Sequence, residues 1–175
     1  AKKADKYSYT RENYEVYPDM WATDANFKKS VQLTQGIRQQ EPYIWGTTEL
    51  ISWVSLDGRT LEGVIYKPAS FDPNKKYPMI VNFYERNSET LCKYKMPEPH
   101  RSTIDYRMYL SDGYIVFNPD VRYRDGYPGE SCYNCVMSGV YEVLSRGYVD
   151  EKRIGAQGHS WGGYQVAYLA TRTRL

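Results

Sequence analysis

Gly158-His159-Ser160-Trp161-Gly162 decides the reading of this chain, because of what stands on either side of it. Arg153-Ile154-Gly155-Ala156-Gln157 reads as the end of a buried strand. Gly163-Tyr164-Gln165-Val166-Ala167-Tyr168-Leu169-Ala170 reads as a helix. A serine on a tight strand-to-helix turn between small residues is a nucleophile elbow. Such a turn strains the serine backbone, and a Cβ two positions to either side would meet the neighbouring strand or helix. Gly158 and Gly162 are therefore the elbow glycines, with Gly163 as a third. G-x-S-x-G alone is a common chance match and could be an ordinary glycine turn; the strand before and the helix after give it meaning.

Working outward, Glu49–Val54 and Leu61–Tyr66 flank Leu56-Asp57-Gly58-Arg59 and form a hairpin. Tyr77–Tyr84 reads as a buried strand, and Thr103–Leu110 carries helical spacing that Gly113 terminates. Tyr114–Asn118 is another apolar strand, followed by a loop over 119–131 rich in Arg, Tyr, Gly and Pro. Tyr133–Leu144 is a helix with Val136, Val140, Val143 and Leu144 on one face, closed by Gly147. The succession is β-β-β-α-β-α-β-elbow-α, which requires right-handed crossovers and a mostly parallel sheet after an antiparallel hairpin. The fold class is α/β. Residues 46–175 read as the N-terminal portion of an α/β-hydrolase sheet, truncated after the nucleophile helix.

Residues 1–45 differ. Lys6–Thr10, Tyr14–Tyr17 and Lys29–Leu33 read as short antiparallel strands of a larger β domain, broken at Pro18-Asp19 and Asp24-Ala25-Asn26. Gln35 to Pro42 is a polar connector. At 175 residues there is room for one domain or one and a fraction. The chain starts with Ala and stops fifteen residues past Ser160, so it reads as a piece of something longer.

A net charge of +2, from 23 basic and 21 acidic residues, makes no case for nucleic acid or an anionic membrane surface. The mean hydropathy of −0.71 is depressed by tyrosines that still bury ring area. No apolar run approaches the ~20 residues of a membrane helix. Cys132-Tyr133-Asn134-Cys135 has metal or redox spacing, but a zinc site would need two more ligands from Cys92, His100 and His159. No metal is expected. The cysteines read instead as two small, partly buried residues one turn apart at a helix start, able to form a local disulfide.

Acyl transfer by serine needs a base, a group to orient it and donors for the oxyanion. Ser160 is the nucleophile, and the backbone N–H of Trp161 at the helix start is the first donor. The second should come from the loop after the third strand, Tyr84-Glu85-Arg86-Asn87. That loop lacks a glycine-rich run, so the Tyr84 side chain is the candidate; simple packing of that ring is the alternative. No base is evident. His159 should project away from the catalytic face, and His100 precedes the nucleophile, against the order Ser, Asp, His. Asp112, Asp120, Asp125 and Asp150 also precede it, and Asp150 reads as opening the turn into the elbow strand. The triad Asp and His are expected to lie outside this chain. The chemistry calls for no cofactor.

The stretch Gly158-His159-Ser160-Trp161-Gly162-Gly163-Tyr164, preceded by Gly147-Tyr148-Val149-Asp150-Glu151-Lys152-Arg153-Ile154-Gly155, resembles the prolyl oligopeptidase family of serine peptidases. The dipeptidyl peptidase IV-like and acylaminoacyl peptidase branches are the most similar. Asp120-Val121-Arg122-Tyr123-Arg124-Asp125-Gly126-Tyr127-Pro128-Gly129 resembles the family's Arg- and Gly-rich loop, and Tyr84 falls at its oxyanion tyrosine. Trp53–Gly58 through Tyr66-Lys67-Pro68 is similar to its first hydrolase hairpin. The resemblance implies a peptidase acting on short peptides, with residues 1–45 as the last strands of a β-propeller that restricts access. It also implies a possible homo-oligomer of the parent protein, and favours a periplasmic or extracellular site over the cytoplasm. Two rival readings are a carboxylesterase on the same scaffold and a non-catalytic interaction module, whose open sheet edge would promote association.

Overall fold

The computed structural model describes residues 5–40, 45–98 and 100–174. It divides into two compact units: Ala1–Trp45 with Cys92–Lys95, and Gly46–Leu91 with Met96–Leu175.

The first unit is an antiparallel meander of β1 (Lys6–Arg11), β2 (Asp19–Asp24) and β3 (Ser30–Gln32). Tyr9 lies opposite Trp21, and Ala22 opposite Val31. The middle strand is not where the sequence placed it. Tyr14–Tyr17 is not a strand; residues 14–16 bend, because the Asn13 carboxamide oxygen accepts the N–H groups of Glu15 (2.8 Å) and Val16 (2.7 Å) and curls the chain. The strand runs instead through Met20-Trp21-Ala22-Thr23, starting at the expected breaker. Asp19 is buried there, its carboxylate accepting from the Thr34 hydroxyl (2.6 Å), Gly36 N–H (2.7 Å) and Gln32 (3.2 Å). The connector is a 3-10 turn over Gly36–Gln39; its last residues, Glu41 and Pro42, lie outside the described residues.

The second unit holds a five-stranded sheet. Strands β4 (Thr47–Val54) and β5 (Thr60–Lys67) form the hairpin, with Gly58 at φ 83° in its turn. Strands β6 (Tyr77–Asn82), β7 (Ile115–Pro119) and β8 (Val149–Gln157) follow, separated by α1 (Tyr106–Ser111) and α2 (Pro128–Ser145). The last helix, α3, spans Trp161–Ala170. The spatial order is β4-β5-β7-β6-β8, with β6 parallel to both β7 and β8 and β5 antiparallel to β7. Strand β7 is buried along its whole length, as a parallel strand covered on both faces must be.

Several boundaries move for local reasons. Helix α2 starts at Pro128, not Tyr133, since a proline at the first helical position has no N–H to leave unpaired. Cys132 and Cys135 thereby sit inside the helix on its core face, with Val136, Gly139, Val140 and Val143. Both are fully buried free thiols, not a partly buried pair forming a disulfide, and burial pushes the Cys132 pKa up. Helix α1 starts where Asp105 caps the N–H groups of Arg107 (3.0 Å) and Met108 (3.2 Å). Strand β8 starts early, at Val149. Tyr77 and Met79 face Val149 and Ile154, so the intervening residues bulge outward, with Asp150 bonded to Lys152 N–H (3.0 Å) and Arg153 (2.7 Å).

The core joins β4 to α2. Trp53 meets Phe117 in an edge-to-face arrangement (centroids 5.6 Å apart) and donates from Nε1 to the Ser138 hydroxyl at 3.0 Å. A Cβ on Gly139 would stand 2.8 Å from the Trp53 ring, so the smallest residue lets the helix close on the sheet. At the C-terminal ends of the parallel strands the buried residues turn polar. Tyr106 OH donates to Asn82 Oδ1 (2.6 Å) and accepts from Asn118 Nδ2 (2.8 Å), while Asn82 Nδ2 donates to the Gln157 carboxamide oxygen. This bonded row ties together the ends of β6, β7 and β8, and the catalytic candidates emerge from the first and the last of these.

Candidate active site

Strand β8 ends at Gln157 and α3 begins at Trp161, leaving three residues to reverse direction. Ser160 takes the strained position of that turn, at φ 54° and ψ −114°. Besides Ser160, Phe27 is the one non-glycine residue at positive φ among the described residues. Such a conformation costs on the order of 1–3 kcal/mol for a side-chain-bearing residue and persists only when its surroundings enforce it. They do so here. Gly162 N–H donates to His159 O (2.9 Å) and Tyr164 N–H to Ser160 O (3.2 Å), which closes the turn onto the helix.

The glycines divide by geometry. A Cβ on Gly158 would lie 2.4 Å from the Gly162 carbonyl, and one on Gly162 would lie 2.7 Å from the Phe83 carbonyl oxygen. Both approaches are to backbone and cannot be relieved by a rotamer change. A Cβ on Gly163 would meet Gly158 O at 3.4 Å, an ordinary contact, so the third glycine is not sterically forced.

The Trp161 N–H, at the first helical position, has no acceptor within its own helix and lies at the positive end of the helix dipole. Tyr84 stands two residues past the end of β6, and its Cα would lie 3.7 Å from a Cβ on Gly162. The fold thus brings Ser160, Trp161 and the backbone of Tyr84 to one place at the C-terminal ends of β6 and β8. The Tyr84 side chain is 47% exposed, and Ser160 is exposed beside it. His159 is exposed on the same turn, and the His100 Nδ1 accepts from Ser102 N–H (3.1 Å). Among the described residues, no hydrogen bond joins Ser160 to a histidine.

Three residues around the site make contacts that the sequence does not reveal, although Asp120 and Tyr123 lie in the Arg- and Gly-rich loop noted there. Asp120 is buried, and its carboxylate accepts the N–H groups of Asn87 (2.6 Å) and Ser88 (2.8 Å) and the Ser88 hydroxyl (2.6 Å). Tyr123 donates from its hydroxyl to the Tyr84 carbonyl oxygen at 2.5 Å and accepts from the side chain of Gln165. Burial raises the Tyr123 pKa to about 12, so it is a neutral donor at any ordinary pH. Gln165 is completely buried in α3. Its one available signal was a carboxamide within an otherwise apolar run of the nucleophile helix.

A serine held at positive φ between a parallel strand and a helix, at the strand ends of a mixed sheet, is the geometry of the α/β-hydrolase fold. Residues 102–175 match the sequence profile of the prolyl oligopeptidase family. "Probable dipeptidyl-aminopeptidase B" of Penicillium rubens is 33% identical over 134 residues, 68% of this chain and 14% of that protein. Dipeptidyl peptidase 4 of Porphyromonas gingivalis superposes with a TM-score of 0.72 at 20% identity, over 96% of this chain and 25% of that one. The acylaminoacyl peptidase of Pyrococcus horikoshii gives 0.71 at 20% identity, over 98% and 28%. The chain belongs to the prolyl oligopeptidase family, and it spans a small part of the length of these relatives. Among the described residues no helix is long and apolar enough to cross a membrane.

Proposed function

We propose that this chain carries the nucleophile and oxyanion half of a serine peptidase site that hydrolyses short peptides through an acyl-enzyme. The observation that supports it most is Ser160 at φ 54° with the Tyr84 backbone packed against the same turn. Residues 46–175 are the first part of the hydrolase sheet, and residues 1–45 the last strands of a β-propeller. In the reaction Ser160 Oγ attacks the scissile carbonyl carbon and gives its proton to a base. That base and the acid that orients it come from outside these 175 residues. The carbonyl oxygen becomes an oxyanion bonded by Trp161 N–H and Tyr84 OH. Collapse breaks the C–N bond, the base returns the proton to the leaving amine, and water then releases the acyl group by the same route.

The test compares full-length protein with its Ser160→Ala variant on an aminoacyl-proline anilide and on p-nitrophenyl esters. Turnover of both by the parent, and of neither by the variant, is the expected result. Ester turnover without anilide turnover would favour a carboxylesterase. No turnover, together with no labelling of Ser160 by a fluorophosphonate, would favour a non-catalytic module. The isolated 175-residue chain is expected to be inactive in all of these assays.

A further inference from the structure

The loop leaving β7 lies along the loop leaving β6 and bonds it from end to end. Val121 N–H donates to Glu85 O (2.7 Å), and Asp120 holds Asn87 and Ser88. These bonds shape the loop itself. The bond from Tyr123 reaches further. Its hydroxyl donates to the carbonyl oxygen of Tyr84, the residue that carries the second oxyanion donor, and accepts from Gln165 on the helix that Ser160 opens. Gln165 is completely buried, and its carboxamide nitrogen donates to the Tyr123 hydroxyl away from solvent, where such a bond is costly to lose. The Tyr123 ring also stands steeply inclined to that of Trp161, at a centroid distance of 6.2 Å. Nucleophile helix and oxyanion tyrosine are therefore joined through one phenol.

We propose that Tyr123 is a positioning residue of the oxyanion site. Its hydroxyl, held by Gln165, fixes the Tyr84 backbone and so sets the Tyr84 side chain relative to Ser160 and Trp161 N–H. The inference rests on Tyr84 being an oxyanion donor, and Tyr123 itself touches no reacting atom. Such a site depends on donors placed to within about 0.5 Å, so loosening the link weakens transition-state binding more than substrate binding.

The test uses full-length protein, with rates on an aminoacyl-proline anilide normalised to sites titrated by a fluorophosphonate. Tyr123→Phe is expected to lower kcat about 10- to 100-fold with KM nearly unchanged, less than the roughly 10²–10³ expected for removing a donor outright. Gln165→Leu, which keeps the phenol but removes its anchor, should move kcat the same way and stands in if Tyr123→Phe does not fold. In a Tyr84→Phe background, adding Tyr123→Phe should cost nothing further, because both act through one donor. A normal kcat in Tyr123→Phe and Gln165→Leu, with Tyr84→Phe impaired, would overturn the link alone. Equal losses in both backgrounds would overturn it too, as would loss in KM instead of kcat. A normal kcat in Tyr84→Phe would remove the reading of Tyr84 and the link with it.

Discussion

At the scale of the residue, the two ends of the elbow make a sharp experimental contrast. Gly158→Ala places a methyl 2.4 Å from the Gly162 backbone, while Gly163→Ala places one at ordinary distance on a helix. The first should destabilise by about 1–3 kcal/mol, the usual cost of forcing atoms into filled space. The second should be neutral or stabilising by up to about 1 kcal/mol, the helix preference of alanine over glycine. Urea unfolding of the two variants checks both, and equal effects would mean that the turn is looser than its geometry. Ser160 was legible because the elbow is contiguous and its constraints are local. The Tyr123–Gln165 bond was not, because its partners are 42 residues apart in sequence and meet only once α3 has docked.

At the scale of the element, β6 and β7 are readable to within a few residues because apolar runs specify them, whereas β8, with only Val149 of its nine residues buried, is marked by the elbow it feeds and not by an apolar run. Helix α2 was read short because its first turn, Pro-Gly-Glu-Ser, looks like a loop until proline is credited with opening a helix. The Trp53–Gly139 contact, which fixes α2 on β4, was likewise invisible, since nothing local marks Gly139 as a seat for an indole. Gly139→Ala should therefore destabilise by about 1–3 kcal/mol despite its better helix propensity; a more stable variant would contradict this packing. The other end of α2 is held by charge. Glu49 on β4 accepts from Lys67 at 2.5 Å and from Arg146 at 2.6 Å. Burial alone would raise the Glu49 pKa, but the hydrogen bonds and charges of these two cations outweigh it and hold the carboxyl below its ordinary 4.5. The stabilisation is therefore complete above pH 4.5 and is lost as pH falls through the lowered value. Since the pair is partly exposed, Glu49→Gln should cost about 1 kcal/mol or less at neutral pH. That cost should vanish in acid, and a difference that persists unchanged there would refute the ion pair as its source.

At the scale of the whole molecule, the polarity of the sheet's far side matters most. Among the described residues strand β8 pairs only with β6, so its outer edge presents backbone donors and acceptors to no neighbouring strand. Beside it lies an apolar groove of about 220 Å³, lined by Val81, Val136, Met137, Ile154, Val166 and Leu169. An unpaired edge next to an apolar face is a template for pairing with another chain. Expressed by itself, the 175-residue chain should associate as its concentration rises, and sedimentation velocity would follow this directly. Ala156 is the informative position: it lies on β8 opposite Val81 and its side chain is exposed. Ala156→Lys puts a charge on the edge, a device by which natural sheets resist edge-to-edge pairing, and should shift the chain toward monomer with its circular dichroism unchanged. If the parent chain stays monomeric at every concentration, the edge and groove are not adhesive. If it associates but Ala156→Lys does so equally, the contact lies elsewhere on the molecule.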